Sequence, residues 1–200
     1  MKTTILILII LAFLFTGCGT RRNVEQVSAT YDEGVVINGV RWATRNVDSP
    51  GTFTRSRYDA GDLFTFLQAR TACPRGWRLP TYEEIVSLEH ASGGWTVMNG
   101  VRGRTFGTAS HQIFLPAAGR GNQGGGMSRF VDTAGFYWSS TLSQSAGQVW
   151  FLRFDESSIA RAVLLDRFGV PNFEFFDRYR FGVPNFEFSI RCVADIDLSE

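Results

Sequence analysis

Short runs of apolar residues, broken by glycine, proline and asparagine, follow one another along most of the chain. Such runs are typical of strands joined by turns, whereas long helices would repeat apolar residues at every third or fourth position. Val35 to Trp42 has Asn38-Gly39 at its centre, the dipeptide most characteristic of a tight hairpin, and Asn99-Gly100 predicts a second turn. Further strands are predicted at Ile113–Pro116, Phe136–Leu142 and Gln148–Phe154.

Two helices are predicted among these strands. Leu63 to Ala72 carries apolar residues at near-helical spacing and leads into a cysteine. Thr81, which follows Pro80, forms a capping box with Glu84 and opens a second helix that Gly93-Gly94 is expected to end. The apolar side of this helix and the turn before it are expected to enter one core, through Trp77, Leu79, Tyr82, Ile85, Val86 and Leu88.

The first 17 residues have the pattern of an export signal. Lys2 precedes an apolar run from Ile5 to Phe15, which is too short to span a bilayer. The small residues before Cys18 resemble the lipobox of bacterial lipoproteins, although Phe15 stands where that motif usually has leucine. The resemblance implies that residues 1–17 are removed and that Cys18 is lipidated. An ordinary secretory signal with an incidental cysteine remains the alternative.

Residues 18–34 are polar and lack a sustained apolar period, so they are interpreted as a tether between the lipid and one domain at 35–200. A lipid on Cys18 implies a protein of the cell envelope, anchored to the outer membrane. An acidic cluster just after the lipidated cysteine resembles a surface-export signal of some bacteria, and the tether lacks one. This favours the periplasmic face of the membrane, and the cell-surface face remains the alternative.

Composition limits the partners. The formal net charge is +1 with 20% charged residues, so no field attracts nucleic acid. Aromatic residues make up 14% of the chain, including 18 Phe, which suits a large core or an aromatic binding face.

Once Cys18 is lipidated, two of the three cysteines remain, Cys73 and Cys192. An even pair in an exported chain predicts a disulfide, and two separate free thiols are the alternative. A catalytic thiol is not expected, because His90 and His111, the chain's two histidines, are not close to either cysteine in sequence.

The sequence supplies no recognisable catalytic, cofactor or metal motif. Gly119, Gly121 and Gly124 match the spacing of a dinucleotide cradle, but no helical pattern follows them, so Ala117–Gly126 is interpreted as a flexible surface loop. Two scattered histidines without a Cys-x-x-Cys motif do not make a zinc site. We therefore expect neither a cofactor nor enzymatic activity.

A nine-residue sequence occurs twice near the C-terminus, as Arg167 to Phe175 and again as Arg180 to Phe188. Two copies are too few for a repeat architecture, so a tandem duplication within the segment 167–188 is the simplest account. The second copy runs into Ser189-Ile190-Arg191-Cys192 and is expected to be the structural one. The Val-Pro-Asn in each copy lacks the carboxylate that a lectin-type calcium site would supply there.

Three motifs occur in order: Gly-Trp-Arg-Leu-Pro-Thr from Gly76, Tyr-Trp-Ser-Ser-Thr from Tyr137, and Ser-Ile-Arg-Cys-Val from Ser189. Together they resemble the Fibrobacter succinogenes major paralogous domain and, more distantly, the C-type-lectin-like fold shared with formylglycine-generating enzymes. The resemblance implies an α+β fold in which two short helices pack on small antiparallel sheets with long irregular loops. It agrees with a Cys73–Cys192 bridge, since lectin-like domains tie an early helical region to the last strand. The signature residues are Gly76, Trp77, Arg78, Leu79, Pro80, Thr81, Tyr137, Trp138, Ser139, Ser140 and Arg191.

The predicted function is a binding or adhesion module, anchored by lipid in the envelope, whose ligand is a glycan or a protein. The alternative is a structural component of the envelope that uses the Phe-rich segment 167–188 as an interface. Glycan binding predicts exposed Trp or Tyr beside a shallow groove, whereas assembly predicts a continuous apolar patch near that segment.

Overall fold

The chain folds into small antiparallel sheets and two helices, in a computed structural model that describes residues 29–122, 128–142, 149–158, 161–165 and 186–195. For 161–165 only the backbone is described. The architecture is therefore sheet-rich α+β, the fold class that the family resemblance implies. The short apolar runs between turns account for many of its strands. Residues 1–28, the Val-Pro-Asn sequences and most of the duplicated segment lie outside the described residues, and so does Cys18.

The strands of the described residues form five sheets. The first contains β1 (Val35–Ile37), β2 (Val40–Trp42) and β14 (Val193–Ala194), and the two-stranded sheet pairs β3 (Val47–Ser49) with β4 (Thr52–Phe53). The third has the order β5 (Phe64–Thr65), β13 (Phe186–Phe188), β9 (Gly121–Asn122). The fourth contains β6 (Ser92–Met98), β7 (Val101–Thr108) and β8 (His111–Pro116), and the fifth β10 (Ala134–Leu142), β11 (Val149–Asp155) and β12 (Arg161–Leu165).

The hairpin between β1 and β2 turns at the predicted Asn-Gly dipeptide. Asn38 and Gly39 have φ values of 49° and 80°, the left-handed pair that this tight turn requires and that these two residue types adopt at least cost. Asn99 and Gly100 adopt the same geometry between β6 and β7. Both turn predictions are confirmed.

The first helix, α1 (Phe66–Ala69), is a single turn, so the prediction of a helix over Leu63–Ala72 is wrong at its start. Phe64 and Thr65 instead form β5 and pair with Phe188 and Glu187 of β13. The side chain of Thr65 then accepts a hydrogen bond from the backbone of Gln68 and caps the turn. Pairing with a distant strand therefore overrides the local helical spacing.

The second helix, α2 (Tyr82–His90), begins as predicted. Thr81 accepts a hydrogen bond from the Glu84 backbone, and Glu84 accepts one from the Thr81 backbone, which completes the capping box. The helix ends at His90 rather than at Gly93-Gly94, because those glycines already belong to β6 and extend along β7.

Two hydrophobic clusters lie on opposite faces of β10. Side chains alternate along a strand, so Phe136 and Trp138 enter one cluster and Tyr137 enters the other. Leu79 belongs to the first cluster, whereas the helix residues Ile85 and Leu88 belong to the second. The expectation of one shared core for these residues is therefore wrong, because the sheet of β10 and β11 separates them.

The glycine-rich segment after β8 is not a flexible surface loop over its described part. Residues 117–121 are buried, and Gly121–Asn122 pairs as β9 with β13. The Gly119 N–H donates to the Ala134 carbonyl at 2.9 Å. Glycine here allows close backbone pairing rather than mobility, and residues 123–127 lie outside the described part of the chain.

The folded region also begins earlier than residue 35. Asp32, which lies within the predicted tether, is 7% exposed, and its carboxylate accepts hydrogen bonds from Gly34 N, Thr44 N and the Thr44 hydroxyl. Arg45 adds an ion pair to the same carboxylate at 3.1 Å. This buried cluster fixes the entry of the chain into β1.

The C-terminal segment Phe186–Ala194 touches elements from the whole described chain. It begins as the central strand β13, and Ser189 then exchanges backbone hydrogen bonds with the Phe136 carbonyl and the Trp138 N–H. The Ile190 carbonyl accepts from Val47 N at 3.1 Å, and the segment ends as β14 beside β2. One short stretch thus joins four of the five described sheets.

A disulfide between Cys73 and Cys192 links this segment to the residues after α1, which confirms the sequence prediction. The Cα atoms are 6.0 Å apart, within the usual range for a disulfide. Cys192 is fully buried.

We expect replacement of both Cys73 and Cys192 by alanine to lower the free energy of unfolding by ~4–5 kcal/mol. The bridge joins residues 119 apart, and opening it restores the entropy of a long loop in the unfolded chain. Urea unfolding followed by tryptophan fluorescence measures the change. The reduced wild-type protein should show the same stability as the double variant, and a loss below ~1 kcal/mol would contradict the entropic account.

Two deletions of equal length test which copy of the duplicated sequence the fold needs. Removing 167–179 leaves the second copy followed by Ser-Ile-Arg-Cys, whereas removing 180–192 leaves the first copy followed by Phe-Asp-Arg-Tyr. We expect the first deletion to fold with near wild-type stability, because every described contact of Phe186–Val193 is kept.

The second deletion should not reach a native state. It places aspartate where Ile190 is 0% exposed, and it replaces Cys192 of the disulfide by tyrosine. Circular dichroism during heating distinguishes the two chains. Equal melting curves would show that either copy can serve.

Candidate functional site

The structure brings the three sequence motifs together. Pro80 accepts hydrogen bonds on its carbonyl from the backbone and the hydroxyl of Ser140, at 2.8 and 3.2 Å. Arg78 exchanges two backbone hydrogen bonds with Val193, both 2.8 Å. Residues far apart in sequence therefore meet around the start of α2, in a contact of Arg78 and Pro80 with Ser140 and Val193 that we call the motif joint.

Ion pairs lie on the solvent-facing side of the motif joint. The Arg78 guanidinium donates to both oxygens of Glu84, at 2.9 and 2.8 Å, and to Asp195 at 2.7 Å. Burial would raise the pKa of Glu84, but the hydrogen bonds from Arg78 and Thr81 outweigh it and lower that pKa. Glu84 thus serves both the helix cap and the C-terminal segment.

The aromatic and hydroxyl members of the motifs are structural. The Trp138 indole is fully buried and donates to the Phe64 carbonyl at 2.7 Å. Trp77 lies edge-on to Phe53, with ring centroids 5.6 Å apart. Gly76 takes a φ of 84° in the turn before it, a conformation that favours glycine. Ser139 is also fully buried, and its hydroxyl accepts from Thr141 N.

Arg191 lies at the centre of the fold with 1% exposure. Its guanidinium donates to the Asn46 side-chain oxygen at 2.9 Å and to the carbonyls of Ala43 and Phe114 at 3.0 and 2.9 Å. Burial of this cation lowers its pKa to about 10. The fork of donors ties together the segments before β3, within β8 and at the C-terminus.

Asn46 extends the network to Tyr137. The Asn46 amide donates to the Ala60 carbonyl at 2.7 Å and to the Tyr137 hydroxyl at 3.2 Å, and Tyr137 donates to the Pro116 carbonyl at 2.8 Å. Burial raises the pKa of Tyr137 to about 12. Because Tyr137 and Arg191 are shut off from solvent, the network supports the fold and offers no group to a ligand.

A small cleft opens on the surface above this network. Its volume is about 50 Å³, which is room for one functional group rather than a whole drug-sized ligand. It lies where the segments after β2 and β4 meet the sheet of β6, β7 and β8. The lining residues are Thr44, Arg57, Tyr58, Met98, Thr105, Gln112, Ile113 and Phe114.

The floor of the cleft is held from below. The Phe114 carbonyl accepts a hydrogen bond from Arg191. Thr44 donates to the Asp32 carboxylate from both its backbone N–H and its hydroxyl. Tyr58 forms a wall, with its ring 5.9 Å from that of Phe114 at 61°. Fixed surroundings of this kind keep a recognition site in one geometry.

Four polar groups at the cleft have unused hydrogen-bonding capacity. Within the part of the chain that the structure describes, no hydrogen bond or ion pair is formed by the Arg57 guanidinium or the Tyr58 hydroxyl. The Thr105 hydroxyl and the Gln112 amide donate only at 3.4 Å, to Gly94 and Ala109, beyond the usual range. A polar ligand could therefore bind to these groups without breaking any strong hydrogen bond within the described part of the protein.

Sequence reasoning did not find this cleft. Its residues come from five separate stretches between positions 44 and 114, and no spacing rule connects them. The one local signal is the adjacency of Arg57 and Tyr58 in a polar, glycine-bounded loop. A cation beside an aromatic residue is too common to identify a site from sequence.

An apolar patch lies elsewhere on the surface. Phe130 and Val131 are 43% and 50% exposed, and Phe130 has a φ of 65°, unusual for a bulky residue. The Arg120 guanidinium lies 5.6 Å from the Phe130 ring and 4.6 Å from that of Phe186. We define Phe130, Val131 and Phe186 as the phenylalanine patch. Large apolar residues exposed at other described positions are Tyr31, Val36, Leu67, Val97 and Leu142.

Comparison with known proteins returned no matching family model, curated protein or solved structure. Among the described residues, no helix is long and apolar enough to cross a membrane. The same residues contain no group of three or more His, Cys, Asp or Glu side chains placed to hold a metal ion.

Proposed function

We propose that this protein is an exported, lipid-anchored module of the cell envelope that binds a glycan through the cleft beside Tyr58. The observation that carries the proposal is the convergence of polar groups with spare hydrogen-bonding capacity on a fixed aromatic wall. Glycans present hydroxyls for such groups and apolar ring faces for an aromatic side chain. A small open cleft suits the end of a chain whose remainder lies on the surface.

The proposal includes a C-type-lectin-like fold of the Fibrobacter succinogenes major paralogous domain type. Two short helices among small antiparallel sheets support it, as does a bridge from the region after α1 to the C-terminal segment. The bridge also supports export, because disulfides persist mainly outside the cytoplasm.

Lipid anchoring predicts a mature protein that begins at a modified Cys18. We expect wild-type protein to partition into the detergent phase of Triton X-114 and the Cys18→Ala variant to leave it, because one lipidated residue supplies the membrane affinity. Intact-mass measurement provides the check. A mature protein that still begins at Met1 would contradict export and anchoring together.

Glycan binding predicts retention on a polysaccharide array. We expect wild-type protein to bind a subset of glycans and Tyr58→Ala to lose at least about tenfold in affinity, because the aromatic wall is removed. Tyr31→Ala is the matched control, since Tyr31 is 60% exposed and does not line the cleft. Equal binding by wild type and Tyr58→Ala would contradict the assigned site.

Assembly within the envelope is the second candidate function, and the phenylalanine patch favours it. Phe186 belongs to the second copy of the duplicated sequence, so the patch adjoins the Phe-rich segment. Exposed aromatic residues beside a cation are typical of protein interfaces. Concentration-dependent oligomers that Phe130→Ser abolishes, without array binding, would favour assembly over glycan recognition.

A further inference from the structure

The charge at the cleft narrows the class of ligand. Arg57 is exposed and has no carboxylate partner among the described residues. The buried Arg191 below the cleft lies close enough to Arg57 and to Arg45 for each of them to help lower its pKa, after the larger effect of burial. The nearby carboxylate of Asp32 is already paired with Arg45 at 3.1 Å. The cleft therefore has an excess of positive charge.

A guanidinium with free donors recognises a carboxylate by two parallel hydrogen bonds. A neutral sugar offers only hydroxyl and ring oxygens, which accept weaker hydrogen bonds than a carboxylate and no bidentate pair. The cleft volume of about 50 Å³ accommodates a carboxylate and its attachment carbon but not a complete pyranose ring. The ring to which the carboxylate belongs would then rest against the wall at the mouth.

The remaining groups fit the neighbours of such a carboxylate. Tyr58 offers a ring face and a hydroxyl. Thr105 and Gln112 offer donors and acceptors, and binding a ligand would cost them only their long hydrogen bonds of 3.4 Å to Gly94 and Ala109. Vicinal hydroxyls on a ring are the pattern that several short neutral polar groups bind. A peptide C-terminus shares the carboxylate but lacks those hydroxyls.

We propose that the cleft binds the carboxylate end of an acidic saccharide, a uronic acid at the terminus of a glycan. The carboxylate pairs with Arg57, the sugar ring packs on Tyr58, and ring hydroxyls bond to Thr105 and Gln112. This inference rests on the proposed function and specifies its ligand.

The test is calorimetric titration of the full-length chain in detergent with tetragalacturonate, cellotetraose and a tetrapeptide with a free C-terminus. We expect tetragalacturonate to bind best and to weaken as salt rises, because the charge pair is open to solvent. Arg57→Gln should weaken it at least about tenfold, as expected for loss of a charge-assisted bond. Tyr58→Phe should have a smaller effect than Tyr58→Ala, since the ring is kept.

Arg75→Gln provides the matched control, because Arg75 is exposed, changes the net charge equally and does not line the cleft. Melting temperatures of all variants confirm that they fold. Binding of cellotetraose with the same affinity as tetragalacturonate, unaffected by Arg57→Gln, would overturn the inference and leave glycan binding intact. Preferred binding of the tetrapeptide would overturn the inference and the proposed ligand class. Absence of binding by either saccharide, together with an empty array, would overturn both.

Discussion

The fold depends on the short C-terminal segment Phe186–Ala194, which is both a central strand and the buried half of a covalent bridge. Its backbone bonds reach β3, β5, β9, β10 and β2, so it unites sheets that share few other hydrogen bonds. Phe188 and Ile190 enter the first hydrophobic cluster and Val193 enters the second. Arg191 donates hydrogen bonds to oxygens of Ala43, Asn46 and Phe114. A two-stranded sheet is marginal alone, and the central strand β13 turns β5 and β9 into a sheet of three strands.

The same constraint shapes the surface. Phe114 accepts from Arg191 on one side and lines the cleft on the other, so the position of the cleft floor follows from a buried cation. Burying a guanidinium with oxygen partners of amide type costs free energy unless every donor is used. The network fixes the positions of three chain segments relative to one another: the one before β3, β8 and the C-terminal segment. The four polar groups of the cleft lie on this frame, where Arg57 is exposed and Tyr58, Thr105 and Gln112 are half-buried.

Local chemistry made part of this structure predictable. Asn38-Gly39 specifies its turn, and Thr81 and Glu84 cap a helix, because each effect acts within a few residues. The disulfide was predictable because Cys73 and Cys192 are the two cysteines that remain once Cys18 is set aside. The failures have the opposite cause. Phe64 and Thr65 have helical spacing in the sequence, but a strand more than a hundred residues later pairs with them. The glycine-rich segment has the sequence of a loop, but Gly119 bonds to Ala134 and Gly121 pairs with β13. The cleft was invisible for the same reason, since only the folded chain brings Arg57 beside Gln112.

The position of the central strand has a consequence for biosynthesis. Polypeptides emerge from the ribosome with the N-terminus first, yet β5 and β9 flank a gap until Phe186–Phe188 is available. A nascent chain that ends before that point cannot complete its third sheet. Cys73 likewise lacks its disulfide partner until Cys192 has been synthesised. Contacts across such sequence separations form late and slowly. The polypeptide thus stays incompletely folded until its last residues have been synthesised.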